Sequence, residues 1–187
     1  MKKLHFYTLT DVDDLASPID DKQLSLHSLA IDFFTDFEQV KPLVIEATMS
    51  AHAAKQLMQK AHVRLKFVVD SEDHFLGVVS HEDLNEQQLV MKLSEGFKSS
   101  DIEVGDVMQP KHRLKAFDIN ELKYVSIAEV IDALKESGQQ HCLVLDRQSH
   151  RIRGIFSASD ISRKLHLPID ISARSNFYKV FAATSSK

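Results

Sequence analysis

Gly77-Val78-Val79-Ser80-His81-Glu82-Asp83-Leu84 returns 77 positions later as Gly154-Ile155-Phe156-Ser157-Ala158-Ser159-Asp160-Ile161. Both stretches read glycine, two apolar residues, Ser-x-x-Asp, and a final apolar residue. Working outward, Val68-Val69-Asp70 matches Val144-Leu145-Asp146 at an offset of 76, and Ser50 falls on Ser126 in the same register. Further upstream, Ala30-Ile31-Asp32-Phe33-Phe34 resembles Val104-Gly105-Asp106-Val107-Met108 at an offset of 74. Offsets that drift by loop-sized amounts along one register indicate two copies of one structural unit.

Each copy runs through the same order of physical signals. A short β-prone run comes first, Leu43-Val44-Ile45 or Leu114 to Ile119. Ser50 then starts a helix, with Ala53, Ala54, Leu57, Met58 and Ala61 expected on its buried face. In the second copy Ser126 and Glu129 form a capping box ahead of Val130, Ile131 and Leu134. Two strands follow, Leu65 to Val69 and Leu76 to Val79, or Cys142 to Leu145 and Ile152 to Phe156. Asp70 and Asp146 stand between them, where a turn needs a short acceptor. Ser-x-x-Asp opens a last helix, which in copy one is expected to continue through Leu84, Leu89, Val90, Leu93 and Phe97.

The expected class is therefore α+β, two tandem β-α-β-β-α units over 28–97 and 98–168. An acidic lead-in, 1–27, precedes them, Lys98-Ser99-Ser100-Asp101 links them, and a tail, 169–187, carries a β-prone stretch at 176–181. One copy of about 60–70 residues has a marginal core, so the two sheets are expected to pack together.

Composition narrows the function. The chain has 187 residues, 23 Lys plus Arg against 27 Asp plus Glu, and 43% hydrophobic residues. That excludes a disordered tail and a strongly basic nucleic-acid binder. Uncharged runs fall far short of the ~20 apolar residues of a membrane span, and a single cysteine, Cys142, points to a reducing cytoplasm. The 10 histidines show no His-Glu-x-x-His spacing; His52 and His62 are expected on helix surfaces. Neither a Gly-x-Ser-x-Gly elbow nor a Walker loop occurs, so the chain reads as a non-enzyme. Cys142 neighbours His141 on a strand, where successive side chains face opposite ways, and reads as core. Phe33, Phe34 and Phe37 read as packing that anchors the lead-in.

The tandem β-α-β-β-α order with Gly-φ-φ-Ser-x-x-Asp resembles a pair of cystathionine-β-synthase (CBS) domains, a Bateman module, over roughly 28–168. Val104-x-Asp106-Val107-Met108 resembles the segment that opens many members, whereas Phe67 and Leu143 stand where many have proline. The resemblance implies pseudo-symmetric domains packed through their sheets, assembly into a homodimer, and regulation of an unidentified protein partner by a module here standing alone. It implies no tightly bound cofactor, but an adenosine-containing ligand (AMP, ADP or ATP) in the cleft between the domains. By that resemblance Asp160 and Asp83 hold ribose, Ser157 and Ser80 lie near phosphate, and Arg64 and Gln140, with His141 beside it, are phosphate-side contacts.

Elementary chemistry bears on the same residues. A helix N-terminus presents unpaired N–H groups to an anion, and a carboxylate accepts from two vicinal hydroxyls. Ile155 and Val78 are candidates for a wall flanking adenine, the small Ala158 and Ser159 leave room at the backbone, and Arg163 follows Asp160 as an attractive charge. Glu82 and Glu86 surround Asp83, whereas Arg147, Arg151 and Arg153 accompany the second copy, so the Asp160 site is expected to be the stronger. The alternative is an interaction module without ligand, in which Ser-x-x-Asp is only a helix cap.

Overall fold

A computed structural model describes residues 24–96 and 101–171. The lead-in up to residue 23, Phe97, linker residues 98–100 and the 176–181 stretch lie outside the described residues.

The first lead segment forms a single 3-10 turn, Ala30–Asp32, and a two-residue strand β1, Thr35–Asp36. Copy one then supplies β2 (Val44–Glu46), α1 (Ala51–Lys60), β3 (Leu65–Val69), β4 (Phe75–Ser80) and α2 (Glu86–Ser94). The second lead is α3 (Val104–Val107) and β5 (Gln109–Pro110). Copy two supplies β6 (Ala116–Asp118), α4 (Ile127–Ser137), β7 (His141–Asp146), β8 (Arg151–Ser157) and α5 (Ala158–Leu165). None of the described helices is long and apolar enough to cross a membrane.

The leads are exchanged between the copies. One sheet runs β1-β8-β7-β6 and the other β2-β3-β4-β5, so each copy's lead strand closes the edge of the other copy's sheet. Thr35 lies opposite Ile155, and Gln109 opposite Val78, at equivalent places. The exchange extends to the helix starts: Ala30 N–H donates to Val125 O, and Val104 N–H donates to Met49 O. Each motif glycine makes this crossing feasible. A Cβ on Gly77 would overlap the Gln109 carbonyl oxygen, and one on Gly154 would overlap the Thr35 carbonyl oxygen and the Phe34 ring. Only a residue without a side chain admits the crossing strand this closely.

Among the described residues three apolar clusters follow from this plan. Phe33 and Phe34 join the copy-two core with Leu122, Ile127, Leu134, Phe156 and Ile161, while Ile102 and Val104 join the copy-one core with Met58, Val68, Val79 and Leu84. Between the sheets lie Phe67, Val78, Leu143 and Ile155, related in pairs by the internal symmetry. Phe67 and Leu143 thus fill the junction, and Phe37 meets Phe67 edge-on with centroids 5.0 Å apart. The three phenylalanines therefore divide between two clusters rather than forming one.

Two helix readings need correction. In α1 the buried residues are Ala51, Ala54 and Met58; Ala53, Leu57 and Ala61 are exposed. One apolar stripe is wide enough for the core contact, and these three lie on the helix's outer side. His52 lies on the α1 surface, but His62 follows the helix end at a positive φ of 52°. In copy one the last helix starts at Glu86, not after Ser80. Asn85 Oδ1 accepts from Gln88 N–H and caps it, leaving residues 81–84 as a turn. Leu84 stays buried in the core, whereas Val90 is exposed. The Ser126–Glu129 capping box forms as the spacing predicts.

Candidate functional site

Between the two copies, where β3 and β7 begin and β4 ends, a cleft of about 400 Å³ opens. Val78, Leu65, Leu143 and Ile155 make its apolar wall; Arg64, Ser80, Glu82, Gln109, Gln140 and His141 supply the polar lining. The symmetry of the hairpins produces this meeting. Ser80 pairs with Leu65 and Ser157 with His141 across the antiparallel ladders. Arg64 O accepts from His81 N–H at 2.9 Å, and Gln140 O accepts from Ala158 N–H at 3.0 Å. Arg64 and Gln140 thus occupy equivalent places beside the two motifs.

Of the eleven residues singled out in the sequence, Arg64, Val78, Ser80, Gln140, His141 and Ile155 line the cleft; Ser157, Ser159, Asp160, Asp83 and Arg163 do not. Asp83 touches the lining residue Gln109. Asp160 lies near enough for its charge to act on the His141 ring. Burial pushes the His141 imidazole below its ordinary pKa; Asp160 and Glu82 draw it back up, and Arg64 adds to the depression.

The two motifs differ in what they bind within the chain. In copy one Asp83 Oδ2 accepts from Ser80 N–H at 2.8 Å and from Ser80 Oγ–H at 2.6 Å. Gln109 Nε2 donates to Asp83 Oδ1 at 3.3 Å. In copy two Ser157 is the N-cap of α5 yet makes no side-chain capping bond. Asp160 pairs with Arg163, whose side chain is 77% exposed.

The remaining basic residues of copy two point elsewhere. Arg153 reaches away to Asp36 and Glu38, locking β1 onto β8; Arg147 faces Asp118 at 3.9 Å, and Arg151 is exposed. Lys164 donates to the Asp32 and Phe33 carbonyls, capping the first lead turn. Arg147 and Arg151 belong to the turn between β7 and β8 and its flank, which Asp146 ties down at the strand ends remote from Ser157. The cleft's cation is Arg64, from copy one.

Cys142 is buried, and burial pushes its thiol up to about 11. A thiol held protonated is a packing group, not a nucleophile. Among the described residues no group of three His, Cys, Asp or Glu is placed to hold a metal. Gln109 and Leu114 are lining residues that sequence reasoning missed. The signal for Gln109 was the 74-residue offset, which carries Thr35 onto it.

Comparison with known proteins agrees with this architecture. The CBS domain family matches residues 35–89. An uncharacterised conserved protein from Pyrococcus horikoshii is similar with a TM-score of 0.56 and 19% identity, covering 79% of this chain and 98% of its own. CBSX2, solved in complex with AMP, is similar with a TM-score of 0.53 and 22% identity over 72% of this chain and 93% of its own. A putative acetoin utilization protein (AcuB) from Vibrio cholerae gives 0.52 and 21% identity over 74% and 92%. No curated protein matches the chain.

Proposed function

We propose that this chain, whose residues 35–89 match the CBS domain family and whose fold is shared with the solved structures above, is a tandem pair of CBS domains acting as a regulatory module, and that its inter-sheet cleft binds an adenosine-containing ligand of the AMP, ADP or ATP class. The observation that carries the reading is the cleft itself, which sets an apolar wall of Val78 and Ile155 against the polar ends of Arg64, Gln140 and His141. An adenine ring fits the wall and an anionic tail fits Arg64, while Asp160, which does not line the cleft but whose charge reaches the lining residue His141, is the proposed acceptor for a ribose diol. Arg163 must release Asp160, at modest cost, because so exposed an ion pair contributes at most about 1 kcal/mol. The AMP-bound CBSX2 shows that this fold accommodates such a ligand elsewhere.

Regulation requires that the ligand prefer one arrangement of the module over another. The outward apolar residues Leu57 of α1 and Val90 and Met91 of α2 are the proposed contact between two copies in a cytoplasmic homodimer, which light scattering after size exclusion would test. The ligand is bound, not turned over, and a protein partner reads the result.

A purely structural role for the motif has support in copy one, where Ser80 and Asp83 close a turn on one another. In copy two it has none, because Ser157 caps nothing with its side chain. Thermal shift with AMP, ADP, ATP and S-adenosylmethionine separates the two. A ligand at 100 times its dissociation constant stabilises by about 2.7 kcal/mol. At least one of the four should raise the melting temperature of the wild type, and Asp160→Ala should abolish that rise. A wild type that none of them shifts would overturn the reading.

A further inference from the structure

We infer that the cleft takes a single ligand, in its copy-two half, because Gln109 of the exchanged strand β5 keeps the copy-one carboxylate occupied. The inference rests on the nucleotide-binding reading and adds which half is used and what closes the other. Tandem symmetry supplies two equivalent half-sites, each with its own Ser-x-x-Asp. Whether a half-site is open depends on whether its carboxylate is free to accept from a ligand.

The exchanged strands decide this. Position 109 in β5 lies opposite Val78, and its equivalent in β1, Thr35, lies opposite Ile155. Side chains directly opposite in an antiparallel pair share a face of the sheet, and both Val78 and Ile155 face the cleft. A residue at either lead position is therefore aimed along the cleft wall toward the neighbouring motif. Gln109 is long enough to reach Asp83, and its amide donates to Oδ1 at 3.3 Å and Oδ2 at 3.4 Å. Ser80 already holds Oδ2 through its N–H and its hydroxyl. Oδ1, the oxygen Ser80 leaves open, is the one Gln109 covers. Thr35 ends two bonds beyond its Cα and makes no bond to Asp160, whose partner is instead the exposed Arg163.

Charge does not separate the halves: Glu82 and Arg64 both line the cleft, and the charges of both act on the His141 ring. The copy-one carboxylate is met by an amide that imitates the hydrogen bonds of a sugar, whereas the copy-two carboxylate is held by an exposed arginine.

Isothermal titration with AMP tests this on the full chain. Wild type should bind one AMP per chain. Asp83→Ala should leave the affinity within about twofold, while Asp160→Ala should weaken it at least tenfold. Gln109→Ala, and Gln109→Leu as a variant that keeps the side chain's bulk, should expose a second, weaker site that Asp83→Ala removes again. Two AMP per wild-type chain would overturn the inference while leaving the nucleotide reading intact. A single site in both Gln109 variants would remove Gln109 from its role. No binding of AMP by wild type or by either Gln109 variant sinks the inference, and the thermal-shift series then decides separately whether another adenosyl ligand keeps the broader reading alive.

Discussion

The two copies share a motif but use it differently, and the difference lies in what surrounds it. In copy one Ser80 and Asp83 close a turn on themselves, and Asn85 starts the helix afterwards. In copy two Ser157 leads straight into α5 with its hydroxyl unbonded. The exchanged strands are secured differently as well. Asp36 on β1 takes a two-pronged bond from Arg153 at 2.9 Å for each oxygen, with Glu38 adding a third contact; β5 has Pro110 in place of Asp36 and is held without such a pair. One copy spends its motif on structure, and the other leaves its serine hydroxyl uncommitted.

The strongest way to break the comparison is to fill the motif glycines. Alanine at either position forces a crossing strand outward, and overpacking of this kind costs ~1–3 kcal/mol, occasionally more. Gly154→Ala should be the worse of the two because its Cβ meets the Phe34 ring as well as a backbone oxygen. Phe34 is itself buried in the copy-two core, so it has nowhere to retreat. Urea denaturation should place Gly154→Ala at or beyond the upper end of that range and Gly77→Ala below it. Equal costs, or none, would mean that the strands do not cross as described.

Next in size is the lock on β1. Burial raises the Asp36 pKa, but the Arg153 guanidinium and the Glu38 amide outweigh it and hold the carboxyl below its ordinary 3.8. Hydrogen bonds to charged groups contribute about 1.5–3 kcal/mol when well formed, and the mostly buried Asp36 side chain is 14% exposed. Asp36→Asn should therefore cost about 1–2 kcal/mol at neutral pH. The sign of its pH dependence follows from linkage. A depressed carboxylate stabilises fully above its unfolded value and loses that contribution as pH falls through its folded one. The gap between wild type and variant should close on acidification below 3.8; a gap that persists in acid would assign the loss to packing instead.

Smaller still is the contrast between the two motif carboxylates in the unliganded protein. Asp83→Ala removes a reciprocal set of bonds and should lower stability by about 1 kcal/mol. Asp160→Ala removes only an exposed pair and should change stability by less than about 0.5 kcal/mol. Chemical denaturation of both variants side by side reads the difference. A larger loss at Asp160 would make it the structural cap and reverse the assignment of roles.

Most of the fold was legible because it rests on local rules that the duplication doubles. β3 spans Leu65–Val69 as the sequence run and its closing aspartate predict, and the Ser126–Glu129 box starts α4. What stayed hidden was non-local. Two-residue strands carry no periodicity, so nothing in Thr35-Asp36 or Gln109-Pro110 announces an edge strand, still less one belonging to the other copy's sheet. The glycine of the motif was visible, but its reason, a backbone crossing from a segment 119 or 32 residues away, was not. The candidate site divided along the same line. Residues fixed by hairpin register, such as Val78, Ile155, Arg64 and Gln140, reached the cleft. Those whose role depends on where a long side chain finds a partner, such as Arg153 and Arg163, did not.

The finest test concerns a single position in the ladders. His141 lies opposite Ser157, and Leu65 lies opposite Ser80, so one cleft wall carries an imidazole where its counterpart carries an isobutyl group. Burial makes the charged imidazole costly, and Arg64 adds to that cost, while Asp160 and Glu82 offset part of it; the net effect is a pKa below the ordinary 6.5. With the folded value lower than the unfolded one, the unfolded chain binds the proton first as pH falls. Stability is then greatest above 6.5, declines as pH falls through that value toward the folded one, and levels off below it. His141→Leu gives copy two the residue of copy one and removes this term. Melting temperatures recorded from about pH 8 to about pH 5, the range in which histidine titrates, should fall less steeply for the variant, with the two curves parallel again at the acid end. Parallel curves throughout would place the His141 ring in water, and the cleft would lose the desolvated wall that distinguishes its copy-two side.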